Sequence, residues 1–268
     1  MSTSANSLGT ALVTGASSGI GAVYADRLAH RGYDLLLVAR NGERLAALAD
    51  RLSAETGVKA EVLTADLSSR ADLGRVEQRL RDDAAITMIV NNAGFGEMDG
   101  LLQSDTGALD SMIDVNVVAV NRLAVAAAQT FAPRGSGAII NIASVVALIP
   151  ERVHGTYSAT KAFVLTLTQA IHANVAERGV KVQAVMPGVT RTAFFERAGG
   201  SVDALPPEMV MDVNDLVDAA LAGFDQGELV TIPSLPDAGE WETLTQARAA
   251  MAPNLSLRTP AARYLHRG

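Results

Sequence analysis

The sequence, 268 residues long, contains no cysteine. Disulfides, thiolate metal sites and thiol nucleophiles are excluded together, while the redox compartment stays open. Histidine is scarce as well: His30, His154, His172 and His266 are scattered without ligand spacing, so no metal is expected. Aromatic residues make up only 4% of the chain, six Phe, four Tyr and one Trp, and Ala, Val and Leu dominate the apolar residues. A core of that kind suits helices packed on a sheet better than an aromatic-rich sandwich or barrel. Lysine occurs three times, and 22 basic residues against 29 acidic ones leave a net charge of -7. A broad nucleic-acid or anionic-membrane surface needs a concentrated positive field and is disfavoured, whereas a local basic pocket is not. No uninterrupted apolar stretch reaches the roughly 18 residues of a membrane span, and the opening MSTSANSLGT lacks the apolar core of a signal peptide. A cytoplasmic protein is the expectation.

What is present reads as one globular domain, with 49% hydrophobic and 19% charged residues. Short aliphatic or β-branched runs alternate with longer helical patterns, as in repeated βαβ units on a parallel sheet. The spacing predicts seven strands: Ala11 to Thr14, Tyr33 to Val38, Lys59 to Thr64, Ile86 to Asn91, Ala138 to Ile142, Val180 to Met186 and Leu229 to Ile232. Several are apolar throughout, which fits a sheet covered by helices on both faces. Helical patterns cover Gly19 to Arg31, Gly42 to Glu55, Arg70 to Asp82, Thr106 to Phe131 and Thr156 to Arg178. Within the last two, Met112 to Phe131 and Ala162 to Val175 are apolar on more than one face, so each needs a second covering: neighbouring helices of the same chain, or another subunit.

The first strand runs directly into Thr14-Gly15-Ala16-Ser17-Ser18-Gly19-Ile20-Gly21. Glycines there permit a tight turn and close approach of a pyrophosphate, and a following helix offers free N–H donors and partial positive charge. Gly15, Ser17, Ser18, Gly19 and Ile20 are therefore cofactor-contact candidates, although a glycine-rich turn also serves plain chain reversal. At the end of the second strand, Arg40 stands where an NAD enzyme places an acid for the ribose 2′-hydroxyl. A cation favours a 2′-phosphate and hence NADP(H); the alternative is a solvated arginine at a strand end. Asp66 ends the third strand region and is placed either to accept from an adenine amino group or to cap the next helix. Asn91-Asn92-Ala93-Gly94 closes the fourth strand, and both strand-end fastening by Asn and backbone passage beside a ligand at Gly94 fit it.

Tyr157 and Lys161 stand at i, i+4 on one helix face, where an ammonium lowers the phenol pKa, and Ser144 lies thirteen residues before the tyrosine. With the glycine turn, the Asn-Asn-Ala-Gly strand end and Asn116 in their order, the stretch from Thr10 to Thr192 resembles the short-chain dehydrogenase/reductase family in its compact single-domain branch. The resemblance implies a doubly wound α/β Rossmann fold with strand order 3-2-1-4-5-6-7. It also implies a catalytic tetrad of Asn116, Ser144, Tyr157 and Lys161, with Lys161 also bonding the nicotinamide ribose. Pro187, Gly188, Val189 and Thr192 match the segment beside the nicotinamide carboxamide, and Asn92, Ala93 and Gly94 the strand end beside the cofactor.

From about 189 to 212 the sequence looks like the family's variable substrate loop, with Phe194 and Phe195 placed to shield the site and Phe95 as a further wall; ordinary core packing is the rival reading for these rings. With Ser144 on the substrate oxygen, these residues give an apolar pocket. The expected activity is NADPH-dependent hydride transfer to or from a small or medium apolar carbonyl or alcohol, in a homodimer or homotetramer. A 3-oxoacyl-thioester reductase of lipid synthesis and a non-catalytic dinucleotide sensor are the alternatives. An extension from about 233 to 268 matches no motif and is expected over the substrate mouth, on a neighbouring subunit, or as a loose appendage.

Overall fold

A computed structural model describes residues 8–97, 102–152 and 155–265. His154 and His266 lie outside them. Runs such as Ala11-Leu12-Val13 and Leu35-Leu36-Leu37-Val38 are buried at every position, because successive side chains point to opposite faces and both faces are covered. They form β1 (Thr10–Thr14) and β2 (Asp34–Ala39), joined by β3 (Ala60–Thr64), β4 (Ile86–Asn91), β5 (Gly137–Ile142), β6 (Val180–Val185) and β7 (Val230–Thr231). All pair in parallel, in the order β3-β2-β1-β4-β5-β6-β7. The order reverses between β1 and β4, so the chain diverges there and opens a crevice at the carboxyl ends of the strands.

The helices are α1 (Gly19–His30), α2 (Gly42–Thr56), α3 (Arg70–Asp82), α4 (Thr106–Ile113), α5 (Val120–Phe131), α6 (Gly155–Val175), α7 (Phe194–Arg197), α8 (Val213–Gln226) and α9 (Ala238–Ala250). Ala11, Val13, Leu35 and Leu37 meet α1, α2 and α8 on one face, while Leu12, Leu36 and Val38 meet α3, α5 and α6 on the other. Two features depart from the sequence reading. The single helix expected from Thr106 to Phe131 is interrupted by a π-helical segment, Asp114–Ala119, carrying Asn116. The sequence reading also lacked α8, whose Leu216, Val217, Ala220, Leu221 and Phe224 fill the core at three- and four-residue spacing behind Asp212, which caps Asn214 N–H.

By length and composition, the run Thr106–Arg134 is apolar enough to cross a membrane, yet its Leu123, Ala124, Ala127 and Phe131 pack in the core against Ile89 and Ile139. The chain divides after Pro233, leaving 234–268, the stretch read from sequence as an extension, as a separate unit. In that unit α9 has no buried residue, and Leu244, Leu255, Leu257 and Tyr264 are exposed.

Candidate active site

The β1–α1 turn and the end of β4 are stitched together by side chains. Thr14 Oγ1 accepts from the N–H groups of Asn92 and Ala93, both at 3.0 Å, and Asn92 Nδ2 donates to Thr14 O at 2.9 Å and to Gly15 O at 3.3 Å. Gly21 must be glycine: a Cβ there would fall 2.4 Å from Asn92 Nδ2 and 2.5 Å from Gly15 O. Gly15 turns at a φ of +67, which L side chains rarely adopt. Ser17, Ser18 and Gly19 lead into α1, whose first turn holds no acidic residue, and Ser18 makes no side-chain cap bond to it. The opening turn of α1 is thus left electropositive.

Asn116, fully buried in the π segment, clamps the next stretch: its Oδ1 accepts from Phe95 N–H at 3.1 Å and its Nδ2 donates to Phe95 O at 2.8 Å. The same Nδ2 also reaches Thr160 Oγ1 at 3.2 Å, and Thr160 in turn donates to Tyr157 O at 2.7 Å. Local i→i+5 bonding re-aims a helical side chain, and here it ties the β4 end to the helix bearing Tyr157. Gly94 lies between Asn116 and Lys161: a Cβ on it would sit 3.0 Å from Asn116 Oδ1 and 3.5 Å from Lys161 Nζ. Ser144 Oγ donates to Pro187 O at 3.2 Å, beside Val145 N–H, which bonds the same carbonyl at 3.0 Å. β5 and the turn after β6 are thereby joined under Gly188.

Lys161 Nζ donates to Ile142 O at 2.9 Å and lies 5.7 Å from the centre of the Tyr157 ring. Burial lowers its pKa to about 8. Tyr157 keeps part of its surface open, yet desolvation pushes the phenol above its ordinary range, and a hydrogen bond with Ser144 pulls it partly back. The lowering by Lys161 expected from the i, i+4 spacing is not found, because desolvation sets the direction of the shift. The ammonium is itself destabilised by burial and is engaged by the Ile142 carbonyl.

A folded-state pKa near 8 against an ordinary 10.5 means that the unfolded chain binds the extra proton over that range, so stability rises with pH there. Above the ordinary tyrosine value of 10 the raised phenol pKa acts oppositely, leaving a window from about pH 8 to 10. Denaturant titrations across that window are expected to show Lys161→Met losing a rise on the order of 2 kcal/mol relative to the parent. Parallel curves would contradict the charge state assigned to Lys161.

Of the three phenylalanines singled out, the structure brings two together beside Tyr157. The Phe194 ring sits 5.7 Å from that of Tyr157, Phe195 packs edge-on against Phe194 at 5.8 Å, and a Cβ on Gly96 would meet Phe194 Cζ at 2.9 Å. Phe95 enters through its backbone bonds to Asn116, and no ring contact joins its side chain to this cluster among the described residues. Val189 O accepts from Met211 N–H at 2.9 Å, and Thr192 packs 3.4 Å from the place of a Cβ on Gly19. Ile20 lies partly buried against the core. Arg40, exposed after β2, carries no ion pair among the described residues. Asp66 does not cap α3, since Ser69 does; it holds Ser68, from N–H at 3.0 Å and from Oγ at 2.7 Å. Thr160, Gly96 and the Ile142 carbonyl escaped the sequence reading. Thr160 stands between Tyr157 and Lys161, Gly96 lies just past Phe95, and the carbonyl, a backbone group, leaves no mark in sequence.

The family model described as short chain dehydrogenase matches residues 9–201. A short-chain dehydrogenase from Sphingobium yanoikuyae, solved in complex with NADPH, is 50% identical, covers 96% of this chain and 100% of its own, and superposes with a TM-score of 0.94. A bulky-bulky ketone specific alcohol dehydrogenase from Comamonas testosteroni is 46% identical over 97% of this chain and 100% of its own, with a TM-score of 0.90. A very-long-chain 3-oxoacyl-CoA reductase from Anas platyrhynchos is 33% identical over 203 residues, 74% of this chain and 65% of that protein.

Proposed function

The chain belongs to the short-chain dehydrogenase family, and from that premise we propose an NADPH-dependent oxidoreductase that moves hydride between the nicotinamide and the carbonyl or alcohol carbon of a small or medium apolar substrate. The observation carrying this reading is the placing of Lys161 Nζ 5.7 Å from the centre of the Tyr157 ring, with the buried Ser144 hydroxyl beside them. The residues fit the cofactor: an uncapped α1 turn without acid, glycines at close backbone approaches, and Arg40 without a carboxylate. Ser17, Ser18, Gly19 and Ile20 would hold the diphosphate, Arg40 a 2′-phosphate, Asp66 and the segment Asn92 to Gly94 the adenosine side, and Pro187, Gly188, Val189 and Thr192 the carboxamide. When bound, the reduced nicotinamide supplies the hydride.

Ser144 and Tyr157 donate to the substrate oxygen, where negative charge grows as the carbonyl is reduced. Tyr157 then delivers its proton to that oxygen. Lys161 returns a proton to the phenolate left behind, by way of water held near Asn116. A pocket walled by Phe194 and Phe195 favours apolar groups on the carbonyl, and the bulky-bulky ketone specificity of the Comamonas relative supports a roomy one. Consumption of NADPH with aryl ketones, diaryl ketones and 3-oxoacyl-CoA thioesters tests the reading. Turnover of ketones is expected; a preference for thioesters would favour the reading that the 3-oxoacyl-CoA reductase relative supports. Absence of turnover with intact dinucleotide binding would favour a sensor.

A homodimer or homotetramer built on α5 and α6 belongs to the same proposal. These helices bound a groove of about 480 Å³ lined by Val125, Ala128, Pro133, Ala170, Ile171 and Asn174, whereas Ala126 is fully buried in the core. Light scattering is expected to give a multiple of the 27.9 kDa chain mass, reduced to a single chain by Val125→Glu. A fully active parent monomer at micromolar concentration would defeat it. A cytoplasmic location is part of the same proposal.

A further inference from the structure

Arg197, the last residue of α7, donates from Nη2 to Ser18 Oγ at 2.8 Å, across 179 positions of sequence. We infer that Arg197 is a ligand of the cofactor's diphosphate and that, through α7, it couples dinucleotide binding to the seating of Phe194 on Tyr157. The inference rests on the dinucleotide reading above.

What distinguishes Arg197 from the paired arginines is the partner its side chain takes, a serine hydroxyl. Arg27, Arg31, Arg51, Arg70, Arg75, Arg79, Arg81 and Arg122 all pair with carboxylates, and within the substrate loop Arg191 pairs with Asp203 at 2.8 Å. Arg197 has no carboxylate partner among the described residues; its side chain bonds a serine hydroxyl in the glycine-rich turn. A guanidinium has five donors in a planar fork, so one bond to Ser18 leaves most of them for an anion, in the bidentate geometry that phosphate oxygens accept. Ser18 makes no side-chain bond to the α1 amides, so its hydroxyl bonds the arginine instead. Thr192 packs against Gly19 beside this contact, bringing the loop to the turn at a second point.

α7 is only Phe194–Arg197, and its two ends reach the two halves of the site. Arg197 meets the glycine-rich turn, and Phe194 lies 5.7 Å from the Tyr157 ring. A phosphate anion held by Arg197 would fix the exposed end of this turn of helix, and a rigid single turn transmits that to the aromatic wall. Arg197 is thus a binding and positioning residue that makes the substrate wall depend on the dinucleotide.

Fluorescence titration of NADPH and of NADH against the parent, Arg197→Met and Arg197→Lys tests this without turnover. Both nucleotides carry the diphosphate. Arg197→Met is therefore expected to weaken both by a similar factor, roughly tenfold, and Arg197→Lys to recover part of the loss. Hydrogen exchange in 193–200 is expected to slow when NADPH binds the parent and to change little in Arg197→Met. Because Arg197 is exposed, melting of the cofactor-free variants should match the parent. Unchanged affinity for both nucleotides, or full NADPH-dependent protection of 193–200 in Arg197→Met, would overturn the inference. A loss confined to NADPH would overturn it too, by moving the contact to the 2′-phosphate. A parent that binds neither nucleotide would instead remove the dinucleotide reading and this inference with it.

Discussion

Tyr157→Phe is expected to leave a folded protein that binds NADPH as the parent does while its turnover falls roughly a hundredfold or more. The ring survives, and with it the 5.7 Å contact with Phe194 and the packing under Gly96. Ser144 loses the phenol yet still has its 3.2 Å bond to Pro187 O, so no buried hydroxyl is left without a partner. What disappears is the transferable proton and one of two donors to the substrate oxygen. Nucleotide titration and single-turnover measurements separate these effects: unchanged affinity with slow chemistry fits the role proposed for Tyr157, and near-normal single-turnover rates would take that role away from it.

Arg40→Asp is the second large effect. Arg40 is exposed after β2 and makes no ion pair among the described residues, so its removal breaks no such contact there, while a carboxylate repels a 2′-phosphate and accepts from a 2′-hydroxyl. Losing a charge-assisted phosphate contact and gaining a like charge should together shift the NADPH to NADH preference by roughly a hundredfold. The ratio of kcat/KM for the two nucleotides measures it. Equal use of both by the parent would show that Arg40 does not read the phosphate. The contrast with Arg197 is direct, since Arg40→Asp should change the ratio and Arg197→Met should not.

Much of this was legible because it follows from short-range rules. Strands buried on both faces are largely apolar, and the runs at Leu35 to Val38 and Ala138 to Ile140 advertise that. A helix face repeats every three to four residues, which places Tyr157 and Lys161 on one side of α6. The same rule marks α8 through Leu216, Val217, Ala220 and Leu221, so its omission reflects unused signal and not an absent one. Other features depend on tertiary contacts that periodicity does not encode. The π segment that turns Asn116 toward Phe95 lies in a stretch of valines indistinguishable from ordinary helix. Spacing predicted that Lys161 would lower the phenol pKa, but burial of both groups and the Ile142 carbonyl decide otherwise. The excess apolar surface of α5 was visible, but which residues face outward was not: Ala126 turned out to face the core and Val125 the groove.

The central claim is hydride transfer from NADPH to a ketone carbon with Tyr157 as proton donor. Mass spectrometry of the alcohol formed from a bulky aryl ketone and NADPH deuterated at the transferable C4 position tests it most directly. The parent is expected to give an alcohol with one deuterium on the carbinol carbon, and Tyr157→Phe almost none over the same period. Unlabelled alcohol, no alcohol from any ketone tried, or equal labelled product from the two proteins would contradict it.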